Sequence, residues 1–172
     1  MEAYELTTQG GSTDFARLIG ACESFGPYCL IDGLAVNCYV EPVYTLDADL
    51  VVIAESLPEL TKHLEAQGFK TEVHKRSVSA LSPGSTLRIQ FTTDDRYQAF
   101  VGRAVEANVL GIRVKVARRE DVTQGRLWAY GDPERRLSKR KKDELDLIRL
   151  AERYPELKSL YPSELREQLD RG

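Results

Sequence analysis

Apolar and polar positions follow two different periods along this chain, and the change of period outlines its elements. Before residue 118, short apolar runs with strand character alternate with stretches at helical spacing. The pattern predicts helices over residues 13–26, 34–39, 56–68 and 97–108, strands over 28–31, 47–54, 69–75 and 86–91, and two short strands or a hairpin over 109–116. This alternation predicts a mixed sheet flanked by helices, in an α/β (α+β) domain.

After Ala117 the strand pattern ends and only helical spacing remains. Helices are predicted over residues 121–129, 139–154, 155–160 and 163–169. The chain is therefore divided into an α/β domain over residues 1–117, which opens with a loose polar tail over 1–11, and an all-helical segment over 118–172 packed on it.

Composition narrows the class of protein. The chain has 172 residues, 42% of them apolar and 30% charged, which is ordinary for a globular protein with a real core. The net charge of −3 argues against a generally basic nucleic-acid binder. No apolar run approaches the ~20 residues that span a bilayer, so no membrane partner is expected. The acidic N-terminus has no secretory h-region, and three scattered cysteines fit reduced thiols in a cytoplasmic protein.

Two carboxylates, Asp47 and Asp49, open the apolar run of the strand that begins at residue 47. Residues i and i+2 of a strand point to one face, so the two carboxylates lie side by side. They repel each other unless a cation bridges them, and hard oxygen ligands suit Mg²⁺ with substrate phosphates. Gly33, upstream, supplies a turn where the backbone could approach such phosphates. The alternative is a pair of polar residues that face solvent at the strand end.

A second charged cluster begins just before the predicted helix over residues 139–154 and continues into it. Four charged residues fall on one face at helical spacing, namely Arg136, Lys139, Asp143 and Asp146. The bases could bind triphosphate while the acids orient them, since Arg makes bidentate phosphate contacts and Lys acts as a point charge. The alternative is a solvated helix face with internal ion pairs. Arg126, on the preceding helix, could face the same site, whereas Leu127 and Trp128 are expected in the core.

These motifs together resemble the nucleotidyltransferase toxins of the AbiEii type, in the DNA-polymerase-β-like nucleotidyltransferase superfamily. The resemblance covers roughly residues 28–155: the turn at Asp32-Gly33, the Asp47-Ala48-Asp49 strand, and the helix with Lys142-Asp143 and Asp146. It implies a minimal nucleotidyltransferase fold with a helical C-terminal part.

The same resemblance implies transfer of a nucleoside monophosphate from an NTP, with Mg²⁺, to a hydroxyl of a tRNA end or a protein side chain. A cognate antitoxin often controls such relatives. Asp47 and Asp49 would hold the metal and act in catalysis, and Asp143 would orient a cation or help activate the acceptor. The implied nucleotide-binding residues are Asp32, Gly33, Thr45, Arg126, Arg136, Lys139, Lys142 and Asp146.

Three positions depart from the family pattern. Asp32 stands where a Gly is usual at the turn, and Arg126 stands where a Lys is usual. The third carboxylate of the superfamily falls at Gln90, which can ligate a metal weakly but cannot act as a base. Asp94 or Asp95 could substitute for it, although both lie past the strand in a predicted turn. Two rival functions therefore stay open at this point. One is a catalytically degenerate module that binds nucleotide or docks a partner, and the other is an RNA-binding protein that uses the basic segment 135–142.

Overall fold

The computed structural model describes residues 11–172 of the chain. Its seven strands are β1 (Tyr28–Ile31), β2 (Asp47–Val52), β3 (Lys70–Val73), β4 (Ser77–Leu81), β5 (Arg88–Thr92), β6 (Val105–Val109) and β7 (Ile112–Val116). Its α-helices are α1 (Gly11–Phe25), α2 (Asp32–Val36), α3 (Leu57–Ala66), α4 (Gln98–Val101), α5 (Arg119–Tyr130), α6 (Leu137–Arg153) and α7 (Ser163–Arg171). Short 3₁₀ turns cover Ala54–Ser56, Asp95–Tyr97 and Pro155–Leu160. The predicted tail over residues 1–11 lies outside the described residues, apart from Gly11 in α1.

The strands form one mixed sheet in the order β3-β4-β5-β2-β1-β7-β6. The pairs β1–β7 and β2–β5 are parallel, and all the other neighbours are antiparallel. This confirms the predicted mixed α/β fold. The two central strands, β1 and β2, carry the junctions on which the candidate site is built.

Burial follows the apolar pattern that predicted the elements. In α1 the residues at helical spacing, Phe15, Leu18 and Cys22, are almost fully buried, and the helix ends before Gly26, whose φ of +125° suits glycine. All four residues of β1 are buried, as expected for a central strand with both faces covered. The core therefore lies between the sheet and the helices packed on it.

The helices after β7 pack on the α/β part through defined polar contacts as well as apolar ones. Leu147 and Leu150 of α6 are fully buried. Tyr154 at the end of α6 donates its hydroxyl to the backbone oxygen of Tyr39 at 3.0 Å, and the Tyr39 hydroxyl donates to the Ala117 oxygen at 2.8 Å. These tyrosines connect α6, the turn after α2 and the end of β7.

One sequence prediction is wrong in detail, and one strand was not predicted. The helix predicted over 97–108 ends at Val101 as α4, and Val105–Val109 forms strand β6 instead. Gly102 ends the helix, and the two-residue turn Leu110-Gly111, with φ of +53° and +77°, joins β6 to β7 as a tight hairpin. Strand β4 was not predicted, because its serines and alanine have little strand character despite their alternation.

Candidate active site

The site begins at the junction between β1 and α2. Asp32 has a φ of +58°, in the left-handed region that glycine adopts most readily, so the chain turns sharply where the strand ends. Gly33 follows at the wall of a cavity. A Cβ added there would lie 3.5 Å from the Thr45 Oγ1 and 3.7 Å from the Arg126 Nη2. The bare backbone at Gly33 therefore keeps this wall of the cavity open.

The carboxylates of β2 form the floor of the same cavity. Asp47 and Asp49 are partly buried on one face of the strand, and Ala48 and Leu50 are buried on the other. This alternation confirms that the two carboxylates lie side by side. The Thr45 hydroxyl accepts a hydrogen bond from the backbone N–H of Asp47 at 3.2 Å, which fixes the start of the strand.

Asp49 is the less satisfied of the two carboxylates. Within residues 11–172, no side chain or backbone group donates a hydrogen bond or forms an ion pair with it. Its pKa is raised from 3.8 to about 8, mainly by burial and further by the negative charges of Asp32 and Asp47. The positive charges of Arg126 and Lys139 lower the pKa, but less than the other effects raise it. A carboxylate in this setting gains from a bound cation, because the cation offsets both the burial and the repulsion.

Facing the carboxylates, α5 and α6 contribute a buried ion network made of Arg126, Arg135, Asp143 and Asp146. Arg126, only 4% exposed, lies 2.9 Å from the Asp143 Oδ1, 3.1 Å from the Asp146 Oδ2 and 3.7 Å from the Asp32 Oδ1. Asp143 is fully buried and also accepts hydrogen bonds from Nε and Nη2 of Arg135. Arg149 pairs with Asp146 at 3.0 Å. The network fixes Arg126 and Arg135 at the wall of the cavity.

Together these elements enclose a cavity of about 310 Å³. Its lining residues are Asp32, Gly33, Thr45, Asp47, Asp49, Arg88, Gln90, Arg126, Arg135, Lys139, Lys142 and Asp143. Five of these side chains are cationic and four are carboxylates. In the part of the chain that the structure describes, no carboxylate lies within ion-pair distance of Lys139 or Lys142. Two cations are thus free to bind an anion in the cavity.

Most of the sequence-predicted site residues meet in this cavity, and two do not line it. Asp146 lies behind Arg126, as part of the network. Arg136 is exposed and directly precedes α6, with a ψ of 143°, so helical spacing does not align it with Lys139. Its neighbour Arg135 lines the cavity instead. The structure thus corrects the placement of Arg136.

Arg88 and Arg135 are the site residues that sequence reasoning missed. Arg88 and Gln90 alternate on β5, whose parallel register sets Arg88 beside Asp47 and Gln90 beside Asp49. Arg88 places its Nε 2.7 Å from the Asp47 Oδ1. The spacing of Arg88 from Gln90 was the available signal, since both residues face one side of the predicted strand.

The three cysteines and Trp128 lie outside the lining of this cavity. Burial raises the pKa of the thiols of Cys22 and Cys29 to about 12 and that of Cys38 to about 11, so all three remain protonated at neutral pH. Trp128 stacks on Phe100 with ring centroids 5.7 Å apart. Because the thiolate and not the thiol is the nucleophile, none of the three cysteines is activated. Leu127 and Trp128, expected in the core, are only partly buried and pack against it.

The residues present fit a magnesium ion. Asp47 and Asp49 offer adjacent carboxylate oxygens, and the Gln90 side-chain carbonyl lies on the neighbouring strand at the Asp49 level. Mg²⁺ prefers such oxygen ligands and completes its shell with water and substrate phosphates. Within the described residues, no group of three or more His, Cys, Asp or Glu is placed to hold a metal on its own. Water, and substrate phosphates when they are bound, would therefore supply the remaining ligands.

No helix in residues 11–172 combines the length and the apolar character needed to cross a bilayer.

Comparison with known proteins relates this arrangement to solved structures. No protein-family model and no curated protein sequence matches the chain. A crystal structure of ANT(2'')-Ia in complex with adenylyl-2''-tobramycin matches with a TM-score of 0.61 and 16% identity, over 95% of this chain and 98% of that one. A solution structure of the antibiotic-resistance factor ANT(2'')-Ia matches with a TM-score of 0.58 and 17% identity, over 93% and 89%.

A third structure is that of an antigenic nucleotidyltransferase-like protein from Paracoccidioides brasiliensis. It matches with a TM-score of 0.61 and 17% identity, over 92% of this chain and 88% of that one. At this level of identity the likeness concerns the fold. The chain therefore has the nucleotidyltransferase fold that its motifs predicted.

Proposed function

We propose that this chain is a magnesium-dependent nucleotidyltransferase that moves a nucleoside monophosphate from an NTP to a hydroxyl acceptor. One observation carries the proposal. The cavity joins two adjacent carboxylates, an open glycine turn and free lysines within one small space. This is the set of groups that phosphoryl transfer needs, because positioning and charge neutralisation supply most of its catalysis. A crystal complex of ANT(2'')-Ia contains adenylyl-2''-tobramycin, the kind of product expected when a nucleotide is joined to a hydroxyl.

Asp47 and Asp49 would hold Mg²⁺, which supplies positive charge against the triphosphate. The bare backbone at Gly33 would let the phosphates approach the end of β1. Lys139 and Lys142 would contact phosphate oxygens as point charges, and Arg126 and Arg135 would line the wall behind them. Asp143 would act as a positioning residue, since it is fully buried and bonded to both arginines.

In the proposed reaction the acceptor oxygen forms a bond to the α-phosphorus of the NTP. The bond from that phosphorus to the bridging oxygen of the β-phosphate breaks, and pyrophosphate leaves. The hydroxyl proton passes to water, because Gln90 stands beside Asp49 where a carboxylate base would otherwise lie. Water is a weaker base than a carboxylate, so we expect slow chemistry unless the acceptor is well oriented.

The resemblance to AbiEii-type toxins supports a narrower version of the proposal. In that version the acceptor is a tRNA end or a protein side chain, and a cognate antitoxin restrains the enzyme. Incubation with α-³²P-labelled NTPs and separate pools of tRNA, protein and aminoglycoside identifies the acceptor class. Label in the tRNA or protein pool supports the toxin assignment, and label in the aminoglycoside pool alone contradicts it.

Isothermal titration with each NTP, with and without Mg²⁺, tests the core of the proposal. Metal-dependent binding in the native protein that is lost in Asp47→Asn is the expected result. The control is Asp170→Asn, which removes an exposed carboxylate that pairs with Lys158 near the C-terminus. This variant should bind NTP as the native protein does. The absence of binding by any NTP would overturn the proposal.

A second function is favoured by the ion pair between Arg88 and Asp47 and by the neutral Gln90. These features suit a catalytically degenerate module that binds nucleotide without transferring it. Metal-dependent NTP binding without any labelled product in the three pools would select this second function.

A further inference from the structure

Strand register places a fixed cation at the carboxylate floor of the cavity. Arg88 opens β5, and its backbone N–H donates to the Leu46 oxygen at 2.8 Å, which fixes the strand against β2. Arg88 then lies beside Asp47, and Gln90 lies beside Asp49. Residues in register on neighbouring strands point to the same face, so all four side chains share the cavity.

The contact between Arg88 and Asp47 is close and leaves part of the guanidinium unused. Arg88 Nε lies 2.7 Å from the Asp47 Oδ1, and the Arg88 side chain is 61% exposed. A guanidinium has five donors in a fixed planar arrangement. The outer donors of Arg88 therefore remain available for oxygens of a bound phosphate or acceptor.

A two-ion site needs more anionic ligands than this floor provides. Paired ions ~3.5–4 Å apart share carboxylates between them. Here Asp47 already faces one positive charge, and Gln90 contributes a neutral carbonyl. In the described part of the chain, no three His, Cys, Asp or Glu side chains group to hold a metal. A second divalent ion at Asp47 would also meet the repulsion of the guanidinium.

We propose that Arg88 takes the place of a second divalent cation, so that the cavity accepts one metal ion with its nucleotide. This inference rests on the proposed function of the cavity. Asp49 and Asp47 hold the single ion, and the free side of Arg88 contacts the substrate oxygens next to it. The guanidinium is covalently tethered, so its charge is present whether or not metal is bound.

Removal of the Arg88 guanidinium should change the affinities for metal and for nucleotide in opposite directions. Arg88→Gln frees Asp47, so Mn²⁺ binds the free protein about tenfold more tightly. The same variant loses a contact to substrate, so the α,β-methylene NTP analogue binds more weakly. A merely structural role for Arg88 would move both affinities in the same direction.

Mn²⁺ stoichiometry tests the proposal directly. The protein is titrated with Mn²⁺ alone and then with the α,β-methylene analogues of ATP, GTP, CTP and UTP. Bound ions are counted from the loss of the electron paramagnetic resonance signal of hydrated Mn²⁺, after subtraction of each analogue alone. We expect one ion per native chain and two for the double variant Arg88→Gln/Gln90→Asp, which removes the cation and adds a carboxylate.

Arg76→Gln is the matched control, since Arg76 is also an exposed arginine, 3.6 Å from Asp132 and outside the cavity lining. It should leave the count at one. Two ions in the native protein overturn the inference, and so does a single ion in the double variant. If no analogue binds, the proposed function fails, whereas the Mn²⁺ counts without nucleotide still decide between one ion and two.

Discussion

The cavity is lined by two sets of charges that are satisfied to very different degrees. In the buried ion network, Asp143 is fully enclosed and accepts hydrogen bonds from both Arg126 and Arg135. Among the described residues, by contrast, Asp49 on the floor has no partner, and Lys139 and Lys142 on α6 have no paired carboxylate. Removing one partner from a buried, paired charge is strongly destabilising, whereas charges left without partners at a cavity are available to a ligand. The contrast distinguishes the framework of the site from its reactive face.

The largest expected effect comes from breaking the network. Asp143→Ala would leave the Arg126 guanidinium buried and without its nearest anion, which costs about 3–5 kcal/mol of unfolding free energy. Urea denaturation followed by circular dichroism measures the change. Asp170→Ala, on the exposed pair with Lys158, serves as the control and should unfold at nearly the native urea concentration. A native midpoint for Asp143→Ala would mean that the network is not structural.

Neutralising the reactive face should instead remove activity and leave the fold intact. Asp49→Asn keeps the shape of the side chain and deletes the charge that would hold the metal. We expect turnover to fall by about 10²–10³ or more, a loss typical of removing one charge-stabilising group. Unfolding free energy should stay at the native value or rise, because a buried carboxyl that must take up a proton on folding is gone. Native turnover in Asp49→Asn would exclude this carboxylate from the reaction.

The unpaired state of Asp49 also predicts that the unfolding free energy depends on pH. The pKa of Asp49 is raised from 3.8 to about 8 in the folded chain, mainly by burial. The folded protein therefore holds this proton while the unfolded chain has lost it, and unfolding free energy falls as pH rises from about 4 to about 8. Asp146, whose pKa burial also raises, contributes with the same sign. Melting curves of the metal-free protein across this range measure the slope.

Asp49→Asn should flatten the slope, and an unchanged slope in that variant would assign it to other groups. The affinity for Mg²⁺ is a second measure of the protonation of Asp49. Because the metal binds the ionised carboxylate, its affinity should increase with pH up to about 8, the pKa of Asp49. Calorimetry in two buffers of different ionisation enthalpy would detect the released proton.

The smallest expected effects separate two neighbouring arginines. Arg135→Gln removes hydrogen bonds to a buried carboxylate and should cost about 1.5–3 kcal/mol of stability, with weaker NTP binding. Arg136→Gln changes an exposed residue outside the cavity and should stay within about 0.5 kcal/mol, with native NTP affinity. Parallel denaturation and titration of the two variants measure the difference. Equal losses of affinity would restore Arg136 to the site.

The part of the site that could be predicted from sequence is the part set by local geometry. Alternation in a strand fixes the relation of Asp47 to Asp49, and helical spacing fixes that of Lys139 to Asp143, wherever the elements lie. The contact between Arg88 and Asp47 joins residues 41 positions apart, through a strand pairing that no local pattern reports. Which of Arg135 and Arg136 lines the cavity depends on the residue at which α6 begins, and helix boundaries are poorly marked in sequence.

The fold shows the same division. The order of elements followed from periodicity, except where residue type and structure disagree. Ser77–Leu81 is a strand because β5 and β3 pair with it on both sides, although serine and alanine give it little strand character. Val105–Val109 does not extend the preceding helix, because that helix ends before Gly102. The hairpin turn at Leu110 instead pairs this segment with β7. Tertiary pairing outweighed local preference in both segments.

Three of the four carboxylates of this cavity come from residues 32–49 and four of its five cations from residues 126–142, an order that matters during translation. A nascent chain exposes Asp32, Asp47 and Asp49 first, and Arg88 is the earliest of the cavity's cations to follow. Until α5 and α6 leave the ribosome, the anionic floor has no opposing wall. A chain that ends before residue 126 therefore lacks four of the cavity's five cations. Under the proposed function, it could bind a triphosphate only when synthesis of the helical segment is well advanced.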